Sequence, residues 1–88
     1  MTFKTRNLYE AGFLYAKAST SFLGLEPDGR DFLFVFEGDE YRTLSDQYYA
    51  GTATINAKSY SDAIRTLKDV IFSRLRERRL YGDTEGGL

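Results

Sequence analysis

The chain of 88 residues has no cysteine and no histidine. That excludes disulfides, thiolate nucleophiles, imidazole bases and zinc sites of the ordinary kind, and with them the commonest enzyme chemistries. Long apolar runs are also missing. The longest is the five residues from position 32 to 36, and the opening MTFKTRNLYE carries no continuous apolar segment. Neither a signal peptide nor a membrane-spanning helix is expected, which predicts a cytoplasmic protein with no membrane partner. Glycine-rich phosphate loops are absent, since neither GxGxxG nor GxxxxGK occurs. No acid, base or nucleophile constellation is visible, so the chain reads as a non-enzyme with no cofactor and no small-molecule substrate.

What is present is aromatic. Seven Phe and seven Tyr, within a chain that is 42% hydrophobic, supply enough apolar surface to fold and argue against disorder. At this length one domain is the default, burying roughly 60 to 65 per cent of the unfolded surface. We expect a single α+β domain over residues 1–81 with a loose tail at 82–88.

The predicted order of elements is α-β-β-α-α. NLYEAGFLYAKA at 7–18 places Leu8, Ala11, Gly12 and Tyr15 on one helical stripe, with Phe13 and Leu14 widening it. Thr5 is one candidate cap, and Asn7 with Glu10 as a capping box is the other. Two apolar runs flank Glu26-Pro27-Asp28-Gly29. Proline presets the first corner of a type I turn and glycine the left-handed position after it, which predicts strands at 20–26 and 30–37 joined by a bulged hairpin. Asp39 is placed to cap a helix over 40–50 that stops at Gly51, and TATI at 52–55 alternates as a short extended segment would. Asn56, with Ile55 and Tyr60 at staple spacing, or else Ser59, opens a last helix over 57–79 of roughly 34 Å.

The second strand, DFLFVFE at 31–37, raises a packing question. Phe32, Phe34 and Phe36 point one way and Leu33 and Val35 the other. Both faces are apolar, so a helix or a neighbouring molecule is expected on each. Either the first and last helices cover opposite faces of a self-sufficient monomer, or another chain supplies the cover.

The last helix carries the functional signals. Tyr60, Ala63, Ile64, Leu67, Val70, Ile71 and Leu75 form its apolar side, but Arg74 and Arg78 occupy the centre of that side beyond Ile71. Burying them unpaired is costly, so the end of the helix should project or meet an acidic surface. On the opposite side lie Lys58, Arg65, Lys68, Arg76 and Arg79, with Phe72 among them, a pattern that places charge on phosphate and a ring on a base. Residues 57–79 hold seven basic and three acidic side chains, giving +4 against −5 for the rest of the chain. Asp62 and Asp69 can neutralise Arg65 at helical spacing, and arginines in a last turn suit the helix dipole. Two acidic groups, Glu37-Asp39-Glu40 and Glu26-Asp28-Asp31, do not match a calcium loop and read as solvated turns and caps, with no metal. Tyr48-Tyr49 reads as core and rim.

TRNLYEAGFLYA at 5–16, the FxF of the second strand, and YxxGTATINAKSYSDAIRTLK at 48–68 together resemble a family of short prokaryotic proteins of unknown function, often met in phage and mobile-element contexts. The resemblance spans about residues 3 to 72. Its motifs are capping and core positions, so it implies a shared fold and an accessory, non-catalytic role. RLRERRLYGDTEGGL at 74–88 lies outside it.

Two functions from different classes follow. The first is a protein-binding or self-associating accessory module whose contact residues are Phe72, Arg74, Arg76, Arg78 and Arg79. The alternative is a small nucleic-acid-binding regulator using Lys58, Arg65, Lys68, Phe72, Arg76 and Arg79; a net charge of −1 counts against it, and the local asymmetry counts for it.

Overall fold

A computed structural model describes residues 1–18 and 21–78. It is an α+β fold with six elements: β1 (Thr2–Thr5), α1 (Leu8–Ala18), β2 (Phe22–Asp28), β3 (Asp31–Glu37), α2 (Glu40–Ala50) and α3 (Ala57–Glu77). The expected helix, hairpin, helix, helix order holds, and β1 precedes it. TFKT is too short for its alternation to stand out from the sequence. It is ordered by pairing with β3, Phe3 opposite Phe36 and Thr5 opposite Phe34. The sheet is antiparallel with β3 in the centre, in the order β1-β3-β2.

The hairpin turn falls two residues later than expected. Asp28 pairs with Asp31, leaving Gly29-Arg30 as the loop, with Gly29 at φ 64°. A positive φ at the first loop position is what a tight primed turn needs to match strand twist. Pro27 instead sits within β2 opposite Phe32. It is tolerated there because β2 is an edge strand with no outer neighbour to lose a hydrogen bond. The bulge lies at Leu23, which has no partner between Phe22 and Gly24.

All three helices gather on the phenylalanine face. Phe34 and Phe36 of β3, Ala11, Phe13 and Leu14 of α1, Tyr41 of α2 and Leu67 of α3 form one buried cluster. Gly12 lets α1 approach α3 closely, since a Cβ there would overlap the Ile64 side chain. Tyr41 is fully buried; its ring centroid lies 4.9 Å from that of Phe36, and its hydroxyl donates to the Ala18 carbonyl at 2.8 Å. That carbonyl, at the end of α1, has no partner within its own helix. One side chain thus ties α2 to α1 and to the sheet.

Capping separates the alternatives left open by sequence. Asn7 caps α1, its Oδ1 accepting from the backbone N–H groups of Tyr9 and Glu10, whereas Thr5 ends β1. Asn56 caps α3 by accepting from Ser59 N–H at 3.0 Å, and Gly51 stops α2 in the left-handed conformation at φ 77°. Asp39 precedes α2 but its side chain caps nothing. Its backbone is already helical, and a side-chain cap requires an extended residue to bring its oxygen over the first turn. TATI forms no strand; α3 is described over Ala57–Glu77 with Arg78 still helical in its backbone, and its expected end at 79 lies outside the described residues. Residues 79 to 88, including the expected domain boundary at 81, lie outside the described residues, as does Thr20.

The reverse of the sheet is covered differently from expectation. Among the described residues no helix lies there, so α1 and α3 do not sandwich the sheet. Leu33 and Val35 are nevertheless half-buried. Lys4 of β1 faces Val35 and Glu26 of β2 faces Leu33, and the Lys4 ammonium meets the Glu26 carboxylate at 3.0 Å. The ion pair therefore bridges the two edge strands across β3, laying its methylene stems over the apolar side chains. Arg6 pairs with Asp28 near the same end of the sheet. The reverse face does not require a second molecule. No helix among the described residues is long and apolar enough to cross a membrane.

Candidate functional site

The apolar side of α3 is deeply buried only in its first half. Ala63 and Leu67 are buried; Ile64, Val70 and Ile71 are half-buried; Leu75 is 39% exposed. The change follows from what α3 passes. Its middle lies on α1, where Gly12 permits close contact, but its last turns lie beside the start of β3. There Ile71 and Leu75 face Phe32, Phe34 and Leu8 of α1 around an open groove of about 220 Å³. Arg6, Arg30 and Asp31 stand at its edge.

Arg78 shows how the helix end resolves its charge problem. Its guanidinium lies 4.8 Å from the centroid of the Phe32 ring, within cation–π range. The end of α3 was expected to project or to meet an acidic surface, because arginine could not enter its apolar side. It stays on the sheet because the planar guanidinium stacks on an aromatic face while its outer side remains in water. Arg74, one turn earlier, is half-buried.

The structure divides the expected contact residues between two sides of α3. Arg78 lies at the groove, whereas Phe72, 64% exposed, and Arg76 face solvent with Arg65 and Lys68. Lys58 is held by Asp62 at 3.0 Å. That i,i+4 pair takes Asp62 away from Arg65, the partner expected for it. Among the described residues Arg65, Lys68, Arg74, Arg76 and Arg78 have no ion-pair partner. Arg79 lies outside the described residues.

A buried polar cluster was not legible beforehand. Glu10 is 2% exposed, and its carboxylate accepts hydrogen bonds from Thr5 Oγ1 at 2.6 Å, Tyr49 OH at 3.0 Å and Ser45 Oγ. Asn7 Nδ2 donates in turn to the Tyr49 hydroxyl at 3.2 Å. No cation joins these bonds, so three hydroxyl donors replace the water the carboxylate gave up. The cluster links β1, α1 and α2 and has the character of a structural joint. Ser45 is itself buried and lines neither the groove beside the start of β3 nor the one between Phe13 and Tyr60. The Glu at the third helical position hinted at a capping box, but its side chain turns inward to α2 instead.

A second shallow groove of about 250 Å³ lies between Phe13, Tyr48, Ala53, Ile55 and Tyr60. Tyr48 packs on Phe13, with ring centroids 6.1 Å apart, and Tyr49 uses its hydroxyl on Glu10, so the tyrosine pair serves core and joint. The hydroxyls of Tyr41 and Tyr60 are both pushed above the usual tyrosine value, chiefly by burial; Ser21 partly offsets this at Tyr41. Among the described residues no group of three or more His, Cys, Asp or Glu could hold a metal ion. Nothing in the groove offers a nucleophile beside a base. The groove beside the start of β3 has an apolar floor with the Arg6 and Arg30 guanidinium groups at its edge. No protein-family model, curated protein or solved structure matches this chain, so the reading of the site stands on its own geometry.

Proposed function

We propose that the protein is a non-catalytic interaction module that binds a protein partner, or a second copy of itself, through the second half of α3 and the groove beside it. The observation that carries this reading is the coincidence, on one stretch of helix, of solvent-exposed Phe72 and Leu75 with Arg74, Arg76 and Arg78, none of them ion-paired among the described residues. Aromatic side chains and arginine are the groups that most often anchor protein interfaces.

Photo-cross-linking in cells from position 72 or 75, compared with position 23 on the sheet bulge, tests it. Discrete adducts from 72 and 75 that disappear when Arg76 and Arg78 are changed to Glu support the module. Absence of any adduct from both positions removes it. Light scattering over a concentration series separates the two kinds of partner, since a constant monomer mass eliminates the second copy.

A nucleic-acid reading is favoured by one observation, the shared exposure of Arg65, Lys68, Phe72 and Arg76 on the outer side of α3. Titration of labelled DNA and RNA at low and high salt addresses it. Binding that weakens steeply with salt supports this reading, and no binding at low salt ends it.

A further inference from the structure

Resting on the interaction-module reading, we infer that the groove between α3 and the start of β3 takes a short acidic protein segment carrying one large apolar side chain. At about 220 Å³ the space is below the range of roughly 300 to 1,000 Å³ usual for drug-sized ligands and cofactors. It suits a side chain delivered by a peptide. Leu8, Phe32, Phe34, Ile71 and Leu75 supply an apolar floor for that anchor.

The rim selects its charge. Arg6, Arg30 and Asp31 border the groove, and Arg78 is fixed on the ring of Phe32, which lines it. Arg6 is already engaged by Asp28, which leaves Arg30 and Arg78 against the single carboxylate of Asp31. Guanidinium groups bind carboxylates in a two-point geometry, and more strongly where apolar surroundings exclude water. Arg78, held by the ring beneath it, is oriented in advance and loses little freedom on binding.

The other occupants fit less well. Two copies meeting groove to groove would bring Arg30 and Arg78 of each against a single Asp31 from each, leaving an excess of positive charge. A nucleic-acid backbone offers no apolar group for the floor, and the unpaired cations that could follow phosphates lie on the outer side of α3. An acidic segment with an apolar anchor satisfies both the rim and the floor.

The experiment is fluorescence polarisation of the full chain with two labelled hexapeptides, Asp-Glu-Leu-Tyr-Asp-Glu and Asp-Glu-Gly-Ser-Asp-Glu. The first should bind, weakening several-fold as salt rises, and the second should bind at least tenfold more weakly. Arg30→Glu and Leu75→Glu should each cost tenfold or more. Arg65→Glu and Lys68→Glu, on the outer side, should change affinity less than twofold. Thermal melting of each variant confirms folding, and Arg30→Ala, at an exposed turn, repeats the charge test mildly. Equal binding of both peptides, indifference to Arg30→Glu and Leu75→Glu, or displacement by oligothymidine that depends on those residues overturns the assignment. Binding that emerges only after Leu80 and Tyr81 are changed to Ser hands the groove to the chain's own end and also overturns it. If the peptides fail while cross-links from position 72 persist, the acidic-segment assignment falls alone; if both fail, the module reading falls with it.

Discussion

The region around Tyr41 and the region around Leu75 behave oppositely. Around Tyr41 the side chains of α1, α2 and β3 bury one another, and among the described residues each buried polar side-chain group finds a donor or acceptor. Around Leu75 the helix lies beside the sheet without closing on it, and the arginines that cannot enter the core remain at the edge of an apolar groove. The contrast teaches that openness here arises from charge placed on an otherwise apolar helix side: Arg74 and Arg78 occupy positions where Leu or Ile would have completed the packing. The closed end should carry the stability and the open end the recognition.

The largest stability loss is expected at the closed end. Tyr41→Ala should cost about 3 to 5 kcal/mol by removing a fully buried ring and stranding the Ala18 carbonyl, read from urea unfolding. A loss below about 1 kcal/mol would mean that this end is not the stable one. Next comes Glu10→Ala, which leaves three hydroxyl groups without their shared acceptor. About 1 to 3 kcal/mol is expected, with Glu10→Gln milder because it keeps one carbonyl acceptor.

Alkaline pH sharpens the same contrast. Burial raises the Tyr41 and Tyr60 hydroxyls above their ordinary value of 10.0. The unfolded chain therefore releases these protons before the folded one does. Stability from these groups is fully present below pH 10 and declines as pH rises through the folded values. Melting temperature followed across this range should fall less steeply in Tyr41→Phe than in the parent. Equal slopes would deny Tyr41 the role. The smallest effect belongs to the open end, where Phe72→Ser should shift stability by no more than about 0.5 kcal/mol in the same urea assay, since the ring is exposed and the two residues have similar helix propensity. A large loss there would show that Phe72 is packed, and the comparison would collapse.

Much of this could be read residue by residue. Asn56 with its staple, Gly51 as the stop of α2, and the alternation of DFLFVFE all led to the observed elements. Each depends on neighbours within a few positions. The misses share a cause. β1 exists because β3 pairs with it over thirty residues away, and the turn moved past Pro27 because the register of β2 against β3 decided which residues oppose. Glu10 looked like half of a capping box because its distant partners Ser45 and Tyr49 are invisible to local spacing. Arg78 looked destined for solvent until the Phe32 ring was placed beneath it. Of the site, the basic and aromatic content of α3 was legible; the groove was not, since its walls come from three separated segments.

From the order of residues alone came the places of the helices, the apolar pattern of β3 and the charge of α3, because each is written in neighbouring residues and in backbone geometry repeating every two or 3.6 residues. Only the folded arrangement could decide that all helices share one sheet face, that Lys4 and Glu26 strap the other, and that α3 leaves a groove at its end. Those outcomes require side chains far apart in the chain to meet in space, and no local period records which of them will.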